Sequence, residues 1–138
     1  MTEYCFPYEP EPSRAFGSVP RPIIEAYLRT QAGGWFRVTP YADSGADFSV
    51  MPKSVCKVLG LKLKAGQRAL IGGISGRPQV VYIHQVQMRI GAREFTARVG
   101  FAFNERLPYL LGRMDVLEHF DIRFELGRVC FAERANVI

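Results

Sequence analysis
A chain of 138 residues, 48% hydrophobic and 22% charged, has the size and balance of one ordinary globular domain, which excludes a fibrous, low-complexity or helical membrane-spanning class. Its net charge of +5 comes from 18 Lys and Arg against 13 Asp and Glu, spread along the chain without an aromatic-interleaved basic motif, so no nucleic-acid or membrane partner is expected. The three cysteines, Cys5, Cys56 and Cys130, are odd in number and lack metal-ligand spacing; they are expected as buried thiols, which, with an N-terminus lacking a basic start and apolar core, predicts a cytoplasmic location.

Residues 1–21 are rich in proline and acidic at first, which predicts an extended arm outside a packed domain of residues 22–138. An arm of this kind either dangles or covers a neighbour, and a plain ordered tail is the expectation. Residues 23–29 and 35–39 read as two strands turned at Gly33-Gly34, and they deliver the chain to Asp43. Pro40 has no N–H to donate, so pairing is expected to break just before that aspartate. Asp43-Ser44-Gly45-Ala46-Asp47 then places a carboxylate on a tight turn. Ser44 offers a hydroxyl brace, Gly45 a backbone with few steric limits, and small Ala46 leaves room for a bound backbone. Alone, Asp-Ser-Gly is a common turn tripeptide and carries no function.

Pro52 at a first helical position, Val55, Cys56 and Leu59 on one apolar face, and Gly60 behind them predict a short helix. Leu70-Ile71-Gly72-Gly73-Ile74-Ser75-Gly76 reads as the glycine-rich tip of a long hairpin that resumes at Val80-Val81-Tyr82. From there Tyr82, His84, Val86, Met88 and Ile90 alternate with Gln85, Gln87 and Arg89, and Phe95, Ala97, Val99, Phe101 and Phe103 form the inner face of the next strand. His84 and His119 stand without a cysteine motif, so no metal site is expected. Leu107-Pro108-Tyr109-Leu110-Leu111-Gly112 leads into a predicted helix over residues 113–120. A closing hairpin sets Phe120, Ile122, Phe124 and Leu126 on one face before Gly127 turns the chain into Val129 and Phe131.

In this order, Asp43-Ser44-Gly45, the glycine-rich segment from Gly72 to Gly76, and Tyr109-Leu110-Leu111-Gly112-Arg113 resemble the retropepsin-like family of aspartic proteases, the class of retroviral proteases and related cellular and bacterial single-domain proteins. The resemblance runs from about residue 22 to residue 133. It implies an all-β fold, a folded antiparallel β-barrel with one or two short helices and a glycine-rich flap. It implies catalytic roles for Asp43, Ser44 and Gly45, and substrate contacts from Ala46, Asp47, Ile71, Gly72, Gly73, Ile74, Pro108 and Leu110. Leu111, Gly112 and Arg113 would support the catalytic turn, with a positional Asp47–Arg113 ion pair near the cleft. The chain departs from the family in two places. Pro40-Tyr41-Ala42 replaces the usual aliphatic run, putting Tyr41 where it narrows a substrate pocket, and Ser75 stands where glycine is common in the flap.

The reaction needs two aspartates, and none of Asp47, Asp115 and Asp121 begins a second Asp-Ser/Thr-Gly. The resemblance therefore implies a homodimer in which Asp43 and its symmetry mate share a proton and activate one water against a peptide or protein substrate, with no cofactor or metal. Two alternatives belong to other classes: a module that keeps the fold for dimerisation or peptide binding without turnover, and a basic all-β module that binds nucleic acid.

Overall fold
The computed structural model describes residues 2–72 and 77–135. Period-two alternation organises most of them. β1 (Glu3–Pro7), β2 (Glu9–Ser13) and β3 (Gly17–Arg21) come from the arm; β4 (Ala26–Arg29), β5 (Trp35–Val38) and the two-residue β6 (Tyr41–Ala42) lead to Asp43. β7 (Ser49–Pro52) runs into the short helix α1 (Lys53–Val58), which Gly60 ends at φ +82°, a conformation that costs a residue with a side chain dearly. β8 (Gln67–Ile71), the long β9 (Gln79–Ile90) and β10 (Arg93–Ala102) follow, then β11 (Leu110–Leu111), β12 (Phe120–Glu125) and β13 (Arg128–Glu133).

The main sheet has the order β5-β4-β9-β10-β7-β11-β6, with β8 paired on the free half of β9. It curls into a half-barrel. β10 and β7 run parallel, as do β11 and β6, and the other pairings are antiparallel. Leu28, Met51, Met88, Val99, Phe101 and Leu111 are fully buried inside the curl. Each such side chain withdrawn from water contributes about 1.5–3 kcal/mol, which sets the register of the strands that carry them. The inward row of β10 ends at Phe101, since Phe103 lies beyond the strand and is 45% exposed. The Arg89 guanidinium lies over the Tyr27 and Trp35 rings, 4.5 and 5.1 Å from their centroids, and Arg29 lies 4.6 Å from the Trp35 centroid. A cation–π stack absent from any linear motif is thus assembled across three strands.

Three expectations need correction. The arm is not an unpacked extension: β1 joins β13 and β12 in a three-stranded sheet, and β2 and β3 form a hairpin of their own. The Tyr4 ring of β1 fills the space over Gly91, where a Cβ would lie 2.3 Å from the ring, and Gly91 itself turns β9 into β10 at φ +60°. Residues 113–120 do not form a helix. Asp115 takes φ +66°, which no continuous α-helix accepts, because its carboxylate receives the backbone N–H, Nε and Nη2 of Arg98 on β10 at 2.7–3.1 Å. Only a single 3-10 turn, Leu117–His119, remains of that helix. Arg98 also holds the Asp115 carboxyl below the usual carboxylate range.

The cysteines are the third correction. Cys5 on β1 and Cys130 on β13 stand directly opposite each other in the ladder and form a disulfide, leaving Cys56 as a buried free thiol whose pKa burial raises. With two of the three sulfurs joined, the cysteines no longer point to a reducing compartment. Among the described residues no helix is long and apolar enough to cross a membrane. The disulfide joins residues 125 apart, so breaking it is expected to cost about 2–5 kcal/mol of stability, read as a lower unfolding midpoint in reductant. A thiol titration of the unreduced, denatured chain is expected to find Cys56 alone; reaction of all three cysteines would refute the pairing.

Candidate active site
Asp43 follows directly on β6, which lies against β11 on one side and, through an isolated bridge from Tyr41 to Ile23, against the chain leaving the arm on the other. Pro40 donates nothing, but its carbonyl accepts the Ile24 N–H at 3.0 Å, so the break in pairing that proline imposes is offset from outside the strand. The Asp43 N–H donates to the Leu111 carbonyl at 3.0 Å, and the Ala46 N–H returns to the Asp43 carbonyl at 3.1 Å, closing a turn. Within that turn the Gly45 N–H donates to Asp43 Oδ1 at 3.0 Å. The carboxylate thereby braces its own loop, while Ser44 is exposed. Gly45 has no left-handed φ; a Cβ there would stand 3.3 Å from Asp43 Oδ1, so its value is closeness to the carboxylate rather than an unusual dihedral.

Behind the turn, β11 and the residues after it are clamped to the Asp43 loop. A Cβ on Gly112 would lie 2.5–2.6 Å from the backbone N, C and O of Phe48, an approach open to glycine alone. The Gly112 N–H donates to the hydroxyl of Ser49 at 3.0 Å, and Ser49 is fully buried. Arg113 N–H donates to the Ala46 carbonyl at 3.0 Å and Met114 N–H to the Asp47 carbonyl at 2.8 Å. The Asp47–Arg113 pair forms at 2.7 Å, but the side chains are 77% and 59% exposed. A pair so solvated contributes roughly 0–1 kcal/mol, so the backbone bonds do the positioning assigned earlier to the charges.

Asp43 lines a cavity of about 860 Å³ together with Tyr41, Ala42, Thr39, Ile23, Pro108, Tyr109 and Leu110, and with Glu11, Arg21 and Arg106 at its rim. Of the residues expected at the substrate, Pro108 and Leu110 border this cavity with Asp43. Ala46, Asp47, Ile71 and Gly72 do not: Ala46 and Asp47 lie on the turn, and Ile71 ends β8, packed near Val50 and Val81. Gly73, Ile74, Ser75 and Gly76 lie outside the described residues. Leu111 is fully buried beside β6, opposite Ala42. Three contributors escaped the sequence reading. Ser49 shows only as a lone hydroxyl in an apolar run, and no spacing signal ties Glu11 or Arg21 to Asp43. Glu3, Cys5 and Cys130 also converge, but both sulfurs are spent in the disulfide, so that trio is unsuited to a cation.

No family model and no curated protein matches this sequence. Among solved structures, a retropepsin-like aspartic protease from Rickettsia conorii superposes with a TM-score of 0.65 at 19% identity, covering 94% of this chain and 98% of that one. The EIAV protease complexed with the inhibitor HBY-793 superposes with a TM-score of 0.53 at 23% identity, over 71% of this chain and 86% of that one. The fold is retropepsin-like. In this retropepsin-like fold the clamp at Gly112 supports Asp43 from behind, so its loss is expected to loosen the loop and the domain together. Gly112→Ala should cost about 3 kcal/mol or more by overpacking. Ser49→Ala, which strands the buried Gly112 N–H, should cost about 1–3 kcal/mol. Denaturant unfolding checks both, and a Gly112→Ala midpoint equal to wild type would show that the close approach is not real.

Proposed function
We propose that this chain is an aspartic endopeptidase whose site is completed by a second copy of itself. One observation carries the reading: Asp43 borders an open cavity and, among the described residues, is the aspartate without an arginine partner. Asp47 pairs with Arg113, Asp115 with Arg98 and Asp121 with Arg134, each at 2.7 Å. Each of those three is already engaged with a guanidinium, and none of them lines the cavity. The likeness to two protease structures supports the fold within which the proposal is made.

A second carboxylate must come from outside the chain, and a two-fold axis beside Asp43 supplies an identical one. Two carboxylates at short range hold one proton between them, because full ionisation of both is opposed by their repulsion. The ionised one takes a proton from the bound water as its oxygen attacks the scissile carbonyl carbon; the protonated one gives its proton to the carbonyl oxygen. The tetrahedral intermediate then collapses, the C–N bond breaks, and a proton passes to the leaving amine. Every atom comes from water, substrate and the two aspartates.

Asp43→Asn tests this directly. The variant is expected to keep the fold and lose peptide cleavage by at least about a hundredfold in kcat/KM. Wild-type specific activity is expected to fall as the protein is diluted through its dimer dissociation constant. Cleavage by Asp43→Asn at the wild-type rate would refute the assignment, and wild-type binding of a statine-containing peptide with no turnover at any pH would favour the silent binding module.

A further inference from the structure
We propose that Glu11, in the N-terminal arm, is a specificity-determining residue of this site: it pins the Tyr41 side chain against the β2–β3 hairpin and so fixes the size of the apolar subsite beside Asp43. The inference rests on the endopeptidase reading and adds to it a residue and a substrate class, peptides with a mid-sized apolar side chain at that subsite.

Tyr41 on β6 and Asp43 just after it are separated by Ala42, which is 4% exposed. Both line the cavity, so Tyr41 is a wall of whatever space a side chain near Asp43 enters. Its hydroxyl donates to Glu11 Oε2, and the Arg21 Nε lies 3.7 Å from the same oxygen. Glu11 and Arg21 belong to one face of the hairpin: Glu9 stands opposite Arg21 and Glu11 opposite Val19, which makes Glu11 and Arg21 diagonal neighbours. The glutamate is thus held from both sides, with its charge offset, and Tyr41 is tied to a fixed point.

The hairpin needs such ties. β2 and β3 pair only with each other among the described strands, and a lone two-stranded hairpin is marginal in water. It joins the site through the Tyr41–Glu11 bond and through the segment after it, where the Pro22 carbonyl accepts the Ala42 N–H at 2.9 Å. Ile23 and Leu110, paired with Tyr41 on either side of β6, line the cavity with it, as does Pro108, and all three are apolar. With the phenol pinned, this subsite has a set boundary. Released, the ring is free to change rotamer, and the space it vacates admits a larger side chain.

The experiment compares wild type with Glu11→Ala, Glu11→Gln and Tyr41→Phe on two peptides that differ only in Val or Phe at the subsite, measuring kcat/KM and the affinity of matching statine-containing peptides. Glu11→Ala and Tyr41→Phe are each expected to raise the Phe-to-Val ratio at least tenfold, and the double variant no further, since both remove one bond. Glu11→Gln keeps an acceptor oxygen and is expected to stay within threefold of wild type. Phenol titration reports the bond without turnover: the Glu11 carboxylate raises the Tyr41 pKa, so Glu11→Ala should lower it. Ratios within twofold of wild type in both single variants overturn the role of Glu11 while leaving the endopeptidase standing, as does a Glu11→Gln variant that behaves like Glu11→Ala. Statine-peptide affinities that shift as expected in a protein that cleaves neither substrate overturn the endopeptidase and uphold Glu11. Binding of neither peptide by wild type overturns both.

Discussion
The contact of Gly112 with the Phe48 backbone governs the site. Two segments more than sixty positions apart meet so closely that no Cβ fits between them. The same glycine gives its N–H to buried Ser49, and its neighbours bond to Asp43, Ala46 and Asp47. A loop carrying a carboxylate would otherwise sample many conformations, each with the acid in a different place. Here the loop is held through backbone groups, which have no rotamers to lose, so the carboxylate is pre-placed at small entropic cost.

That arrangement explains where the stability of the site resides. The exposed Asp47–Arg113 pair invites attention because it joins the two segments by charge, yet solvent screens it. The buried hydroxyl of Ser49 and the missing Cβ of Gly112 are less conspicuous and weigh more, because each acts where water cannot compensate. The arm extends the same logic outward. Its first strand is fastened to β13 by the disulfide and packs Tyr4 over Gly91, so the hairpin that follows starts from a rigid base before it reaches the cavity.

Much of this was legible in the sequence. The alternation through β9 and β10 and the glycine after α1 follow from local rules that the structure obeys, while the Asp43 and Gly112 segments stood out only through the family resemblance. The rest depended on distant partners. Residues 113–120 have helical periodicity, but Arg98 draws Asp115 into a left-handed conformation and the helix is lost. The arm reads as unpacked by its prolines, yet prolines at an isolated hairpin leave few ladder bonds unmade, and pairing of β1 with β13 is set by the other end of the chain. Cysteine parity suggested thiols because linear spacing says nothing of two residues that become cross-strand neighbours. Glu11 was invisible for the same reason.

In the proposed endopeptidase, Glu11 also bears on why a second acid would be drawn from another copy. It is a carboxylate on the rim of the cavity that Asp43 lines, and on composition alone the two would be a candidate pair. A proton-sharing pair requires each member to exchange a proton with its mate and with water. Glu11 Oε2 already accepts the Tyr41 hydroxyl and lies 3.7 Å from a guanidinium, contacts that commit it to a fixed orientation on the hairpin. The carboxylate that shares the cavity with Asp43 is therefore occupied as a fastening, which in the proposed mechanism leaves the Asp43 of another copy as the matched acid.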